Sequence, residues 1–256
     1  MRFAVLSSGS SGNATVVGNS TGAVLIDCGV SLRELKRRAA LIDFDLSSLN
    51  AILVTHEHED HVGNAATVAR SFDLPVYATR GTQEAAAAKL GKLTNLQVIG
   101  TETPFTIGDI EIMPVIVPHD AREPCQFVLS TATFRLGVLT DLGKSTPHLE
   151  RCFSDLDALV VEFNHDCALL ADGPYPGALK SRIAGDYGHL SNADAMQLVS
   201  RLKSSRLRYL VAAHLSEKTN DPELVRECLD QLDLQHTRCS IARQDAPMPW
   251  TDLALA

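Results

Sequence analysis

Thr55-His56-Glu57-His58-Glu59-Asp60-His61, directly after the apolar run Ala51 to Val54, decides how this chain is read. The run has the length and composition of a buried strand, and it delivers the chain into the histidine cluster. In an extended segment His56 and His58 lie two residues apart and point the same way. A turn into a helix then lets Asp60 and His61 face a second point nearby. Imidazole nitrogen and carboxylate oxygen suit zinc or manganese, with iron also admissible. Two divalent ions a few ångströms apart can generate hydroxide and clamp both oxygens of a displacement. The competing reading is a polar loop with accidental histidines, and three histidines plus an aspartate behind a buried strand make it the weaker one.

The stretch His56 to His61 resembles the HxHxDH motif of the metallo-β-lactamase superfamily. In that superfamily the remaining ligands follow later apolar runs, and three such positions are present in order. His119 follows Met113 to Val117, Asp141 follows Leu136 to Leu139, and His214 follows Tyr209 to Ala213. The resemblance implies an α/β fold, a four-layer αββα sandwich in which two mixed sheets pack face to face with helices on both outer faces. It implies two divalent metal ions, one held by His56, His58 and His119, the other by Asp60, His61 and His214, with Asp141 bridging. Asp60 would also accept a proton from the attacking hydroxide.

Smaller stretches narrow the resemblance: Ser8-Gly9-Ser10-Ser11-Gly12-Asn13, Leu25-Ile26-Asp27-Cys28-Gly29, His119-Asp120-Ala121, Glu162-Phe163-Asn164-His165-Asp166, Gly188-His189-Leu190-Ser191-Asn192 and His214-Leu215-Ser216. Over about residues 1 to 220 the chain resembles the bacterial WalJ/YycJ-type group, described as exonuclease-like and related to ribonucleases Z and J. That resemblance implies a phosphodiesterase or exonuclease acting on nucleic acid, DNA favoured, by attack of dimetal-bound hydroxide on phosphorus. His189 would assist the leaving group and Glu162 would orient its ring. A loop-capping His189 and a merely structural Glu162 are the plainer alternatives, and His165 is open between the two kinds of role. The ribonuclease J pattern does not carry over whole, because the stretch from Asp141 to His214 is too short for the extra domain those enzymes insert there.

Substrate contacts are sought in two places. The Ser/Gly/Asn loop with Ser10, Ser11 and Asn13 offers hydroxyls and backbone N–H groups to an anion, although a tight hairpin turn needs the same residues. Lys180, Arg182, Arg201, Lys203, Arg206 and Arg208 against only Asp186 and Asp194 could meet a phosphate backbone. A solvated helix face explains the same charges. His148 and His236 have no motif around them and are read as surface residues; Cys28 and Cys125 are read as small apolar fillers.

Around these motifs, turn-bounded runs at Phe3 to Leu6, Ala14 to Val17 and Ala23 to Ile26 predict antiparallel strands. Helical spacing predicts helices over Leu32 to Leu41, about Asp60 to Ser71 and about Thr82 to Leu90, with a strand near Pro75 to Tyr77. Strand-like runs between Leu96 and Leu139 predict a second sheet, joined by strands at Leu156 to Val161 and Arg208 to Ala213. Ser191 or Asn192 caps a helix running to about Leu202, and Asp221-Pro222 opens another to about Leu232. No regular structure is predicted from Glu162 to Gly188. With 256 residues, 45% hydrophobic, the chain is expected to form one domain over 1–256, its tail after about 244 loosely held.

The formal charge of −8 makes the chain as a whole no sink for polyanions, so any nucleic acid must be met locally. No apolar run approaches a membrane span, no signal peptide precedes the first strand, and the six cysteines form no CxxC pair; a cytoplasmic protein with reduced thiols and no membrane partner is expected. Oligomeric state has no mark in the sequence. Aromatics at 5% are few for stacking single strands, which keeps hydrolysis of a small thioester, lactone or cyclic phosphodiester as the alternative activity. A non-catalytic, metal-stabilised binding module is the alternative from another class, and it gives no reason to retain an open set of seven ligands.

Overall fold

The computed structural model describes residues 1–254. Six strands in the first part of the chain, β1 (Arg2–Ser7), β2 (Ala14–Asn19), β3 (Gly22–Ile26), β4 (Leu49–Leu53), β5 (Val76–Thr79) and β6 (Leu96–Ile99), lie side by side in that order. The next seven, β7 (Phe105–Ile107), β8 (Ile110–Ile116), β9 (Cys125–Ser130), β10 (Arg135–Leu139), β11 (Ala158–Glu162), β12 (Tyr209–Ala213) and β13 (Arg238–Ile241), form a second sheet in sequence order. A last short strand, β14 (Thr251–Asp252), returns to the outer edge of β1, giving seven strands in each sheet.

Both sheets are mixed. β1 to β3 and β7 to β10 pair antiparallel, whereas β3 to β6 and β10 to β13 pair parallel. Parallel strands need crossover connections, and here these carry helices that cover the outer faces. Ten α-helices occur among the described residues: α1 (Leu32–Leu41), α2 (Glu59–Val62), α3 (Ala65–Phe72), α4 (Arg80–Ala85), α5 (Ala87–Leu90), α6 (Pro147–Cys152), α7 (Cys167–Asp172), α8 (Gly177–Ile183), α9 (Asn192–Leu202) and α10 (Pro222–Gln231).

Three packed layers follow from the period-two alternation of strand side chains. Phe3, Val5, Ile26 and Leu53 of the first sheet meet Ile112, Phe127, Val138 and Val160 of the second between the sheets. Their neighbours Ala4, Leu6, Leu25 and Ile52 face outward against Leu35, Ala39 and Val68 of α1 and α3. On the far side Leu139, Leu159, Val161 and Leu210 pack on Leu149, Phe153, Leu198, Val225 and Leu229 of α6, α9 and α10. A strand buried on both faces has no polar side to show, so it reads as an unbroken apolar run. This is the four-layer αββα sandwich expected from the sequence.

Several elements differ from the sequence reading. The helix expected over about 60 to 71 is two, because Asn64 breaks it: its N–H donates to the Cys28 carbonyl (2.8 Å) and its side chain to the Gly29 carbonyl (2.8 Å). The helix expected over about 82 to 90 is likewise divided at Ala86. The stretch before Gly188 contains α7, capped by Asp166 on the N–H groups of Ala168 and Leu169, and α8, which buries no side chain. The segment after residue 244, expected as a loosely held tail, lies along β1. Met248 N–H donates to the Val5 carbonyl, Trp250 packs edge-on against Phe44 with ring centroids 5.3 Å apart, and Leu253 is buried. No helix among the described residues is long and apolar enough to cross a membrane.

Candidate metal centre

The carboxyl ends of β3, β4, β8, β10, β11 and β12 gather at one end of the sandwich, and the loops leaving them carry the polar residues. Register brings them together. Ile26 opposite Leu53 sets Asp27 beside Thr55, while Val161 lies opposite both Leu139 and Ala212, which lines up Asp141, Glu162 and His214. Such strand ends are where open α/β sheets place their sites.

His56, His58 and His119 form one cluster of potential ligands, Asp60, His61 and His214 another, and Asp141 joins His56 and His61 in a third; within each, one donor atom per residue lies within 4.8 Å of the others. An ion held at about 2.0–2.1 Å by nitrogens in tetrahedral geometry sets its donors about 3.3 Å apart. The observed separations fit: His58 Nδ1 to His119 Nε2 is 3.3 Å, His61 Nε2 to Asp141 Oδ2 is 3.1 Å and to Asp60 Oδ2 3.3 Å, and His214 Nε2 to Asp60 Oδ2 is 3.4 Å. His56 Nε2, Asp141 Oδ2 and His214 Nδ1 are buried with no hydrogen-bond partner. Buried polar atoms are nearly always satisfied, so these unpaired atoms among the clustered side chains fit a site built for a cation.

The outer ring nitrogens are anchored. His56 Nδ1 contacts Thr55 Oγ1 (2.9 Å), His61 Nδ1 contacts Asp27 Oδ2 (2.8 Å) and His119 Nδ1 contacts the Gly188 carbonyl (3.0 Å). Each acceptor holds the proton on Nδ1, which leaves the Nε2 lone pair facing the centre. Asp27 also accepts from the Thr55 N–H and hydroxyl, both at 2.9 Å. The sequence reading gave Asp27 no role. Its available signal was an acid directly after a buried strand, two residues before a glycine.

Electrostatics favour a cation here. Burial pushes the Asp141 carboxyl up, but the imidazoles of His214 and His61 outweigh it and hold the group well below the ordinary carboxylate range; Asp60 is lowered by the same contest, with His61 its chief counter-charge. His214, against burial, is raised to about 10 by Asp141, Asp60 and Glu162, and His61 is raised well above its usual value by Asp141, Asp60 and Asp27. His56 and His119 are lowered by burial. Asp141 and Asp60 therefore remain charged in a buried pocket, and a divalent ion can replace the imidazole protons.

His189 and Glu162 stand beside the cluster. Glu162 is fully buried at the end of β11; its Oε2 lies 3.0 Å from His189 Nδ1, and its Oε1 accepts from the N–H groups of Leu142 (2.5 Å) and Leu190 (3.3 Å). One carboxylate thus ties down the loops carrying Asp141 and His189. Asn13 is also at the centre, its Nδ2 3.2 Å from Asp60 Oδ2 and 3.1 Å from His61 Nε2. Gly29 lets the chain approach Asp60 closely; an added Cβ would lie 2.0 Å from the Asp60 carbonyl oxygen.

Other expected contacts are not brought to the centre. Ser10 and Ser11 are exposed, and the Ser11 N–H donates to Gln244 Oε1 (3.1 Å) rather than standing free for an anion. Lys180 donates to the Ala171 carbonyl on α7. Arg182 does reach the rim, paired with Asp120 beside His119. The basic stretch is no single patch: Arg201 pairs with Glu150, Lys203 with Asp233, and Arg206 and Arg208 with Asp157. The reason is direction. α9 runs away from the site, so Arg206 and Arg208 lie at the opposite ends of β11 and β12. His165 is buried with Nδ1 unpartnered. Cys28 and Cys125 fill the apolar layers on either side of the first sheet.

The family described as the β-lactamase superfamily domain matches residues 23–214. An exodeoxyribonuclease YycJ of Bacillus anthracis is 33% identical over 91% of this chain and 89% of its own length. An exodeoxyribonuclease WalJ of Streptococcus pneumoniae is 34% identical over 87% of this chain and 84% of its own. The metallo-β-lactamase fold protein YhfI of Bacillus subtilis superposes with a TM-score of 0.74 at 15% identity, covering 98% of this chain and 99% of that one. With the strand-end histidines and acids arranged for a divalent metal, the chain belongs to the β-lactamase superfamily domain family and is a metal-dependent hydrolase of metallo-β-lactamase fold.

Proposed function

We propose that this chain is a dinuclear metal-dependent exonuclease that hydrolyses phosphodiester bonds of DNA. The observation that carries the reading is the His189–Glu162 pair set against the seven ligand positions expected from the sequence, in a chain alike over most of its length to proteins named exodeoxyribonucleases. His56, His58 and His119 would hold one ion, Asp60, His61 and His214 the other, and Asp141 both; zinc and manganese suit this donor set. When bound, such ions supply Lewis acidity toward a phosphoryl oxygen and a more acidic water.

The chain's own residues account for the protons. Asn13 fixes Asp60 through Oδ2, and the Asp60 carboxylate accepts the proton that the attacking water gives up. As the water oxygen bonds to phosphorus, the bond to the bridging ester oxygen breaks. Glu162 holds His189 by Nδ1, which leaves Nε2 as the atom that would pass a proton to that departing oxygen. Arg182, at the rim through its pair with Asp120, would meet a flanking phosphate.

End-labelled single- and double-stranded DNA and RNA, with added Mn²⁺ or Zn²⁺, test this reading. Stepwise loss of terminal nucleotides from DNA, abolished by a chelator and by the Asp60→Ala, His61→Ala double variant, is the expected result. Metal-loaded protein that leaves every polymer intact yet opens a thioester, lactone or small phosphodiester would retain the centre and overturn the substrate.

A further inference from the structure

A second group of donor atoms lies outside this centre, on the outer face of the second sheet. His148 and Cys152 are four residues apart on α6 and so share one face of the helix. Glu102 reaches them from the stretch between β6 and β7, where the chain crosses from the first sheet to the second. His148 Nε2 lies 2.8 Å from Glu102 Oε2 and 3.6 Å from Cys152 Sγ, and the three donors fall within 4.8 Å of one another. We propose that Glu102, His148 and Cys152 form an additional site for a borderline divalent cation, zinc in the first instance, which fastens the crossover between the sheets to α6.

The arrangement has the form of a coordination sphere rather than of a nucleophile with its base. A cysteine–histidine–carboxylate relay would place the thiol on one ring nitrogen and the carboxylate on the other. Here both converge on the same Nε2. Burial and the nearby Glu102 raise the Cys152 thiol, the opposite of an activated nucleophile. Bond lengths of about 2.3 Å to sulfur and 2.0–2.1 Å to nitrogen put tetrahedral donors about 3.5 Å apart, matching the sulfur–nitrogen separation. The nitrogen–oxygen pair, now at hydrogen-bond distance, needs to open by about 0.5 Å.

Both sides of the site are held. Glu102 N–H donates to the Pro114 carbonyl (2.8 Å) and its Oε1 accepts from the Ile116 N–H (3.1 Å), which leaves Oε2 for the cation. On α6, Thr146 caps the first turn, and Leu149 and Phe153 are buried against the second sheet. The ligands stay partly exposed, so water can complete the sphere. Binding would release the Cys152 thiol proton to solvent and place the charge of Glu102 and the thiolate on the ion.

Cobalt(II) provides the test, because a thiolate ligand gives a sulfur-to-metal charge-transfer absorption that histidine and carboxylate ligands do not. Full-length protein stripped by chelator and titrated with Co²⁺ should develop that absorption, and Cys152→Ser should abolish it. Its absence at saturating cobalt, or its persistence in Cys152→Ser, would overturn the site. A second measurement follows alkylation of Cys152 by peptide mapping. Zn²⁺ at ten times its dissociation constant leaves about one site in eleven free, so alkylation should slow about tenfold, and His148→Ala should remove the protection. Equal rates with and without zinc, or equal protection in His148→Ala, would refute the proposal.

Discussion

Asp27→Asn isolates the support beneath the metal centre. Asp27 is buried, with φ at 60°, a backbone region that asparagine also adopts readily, so the exchange adds no backbone strain. Four contacts fill its carboxylate: Oδ1 takes the Thr55 N–H (2.9 Å) and hydroxyl (3.1 Å), and Oδ2 takes the same hydroxyl (2.9 Å) and His61 Nδ1 (2.8 Å). With the asparagine oxygen kept on Thr55, its NH₂ group faces His61 Nδ1, and two donors cannot share that space. The ring proton must move to Nε2, the atom that faces Asp60 and Asp141. Losing a charge-assisted bond costs about 1.5–3 kcal/mol, or about 10- to 150-fold in affinity. Removing an orienting partner from a metal-binding histidine carries a similar penalty of about 10–100-fold. Competition with a chromophoric chelator would measure Zn²⁺ affinity, while melting in excess EDTA tracks the fold separately. Affinity within twofold of the unaltered protein would refute the claim that Asp27 fixes the His61 tautomer.

Gly29→Ala would drive a Cβ into the Asp60 carbonyl; displacing that turn by about 1 Å should lower activity about 10²-fold, and wild-type activity with an unchanged melting temperature would contradict the packing argument. His189→Ala should lower kcat about 10²–10⁴-fold with metal content unchanged, and Glu162→Gln should lower it less; a change confined to KM would remove His189 from proton transfer. In native protein at pH 8 the exposed Cys167 and Cys239 should react with a disulfide reagent while Cys28 and Cys125 do not, and labelling of Cys28 without denaturant would refute its burial. Burial, with Asp27 nearby, pushes the Cys28 thiol up to about 12, so its contribution to stability is full below the usual value of 9.0 and lost as pH rises toward 12. Alkaline melting should therefore show a decline over that window, lessened in Cys28→Ala relative to that variant's own neutral-pH value.

What the sequence disclosed depended on how locally each feature is determined. The strands leading to His56, Asp141 and His214 are buried on both faces, so their apolar runs could be read directly, and position after such runs singled out residues that the fold gathers. Asn64 divides a helix through carbonyls of Cys28 and Gly29, far back in the chain, and periodicity carries no trace of that. α8 buries no side chain and β13 is largely exposed, so neither has an apolar pattern to recognise. Lys180, Arg206 and Arg208 were grouped with Arg182 by composition, but only the course of α8 and α9 reveals which cations face the site. Asp27 escaped because its meaning lies in Thr55 and His61, to which register alone connects it.

The first sheet supplies His56, His58, Asp60 and His61, whereas the second supplies His119, Asp141 and His214. Neither half contains a finished centre. The His214 N–H donates to Ser8 Oγ (2.7 Å) and the Cys125 N–H to the Thr55 carbonyl (3.1 Å), so the halves are pinned to each other at the metal end. A bound ion would in this sense be a rivet through both plates, and its occupancy would report how well they are mated. Trimming Phe127 in the layer between the sheets, which is not itself a candidate ligand, would then loosen the grip on metal before it unfolds the chain. Substitutions of that kind would look in an activity screen like damage to the catalytic machinery, when what has failed is the joint.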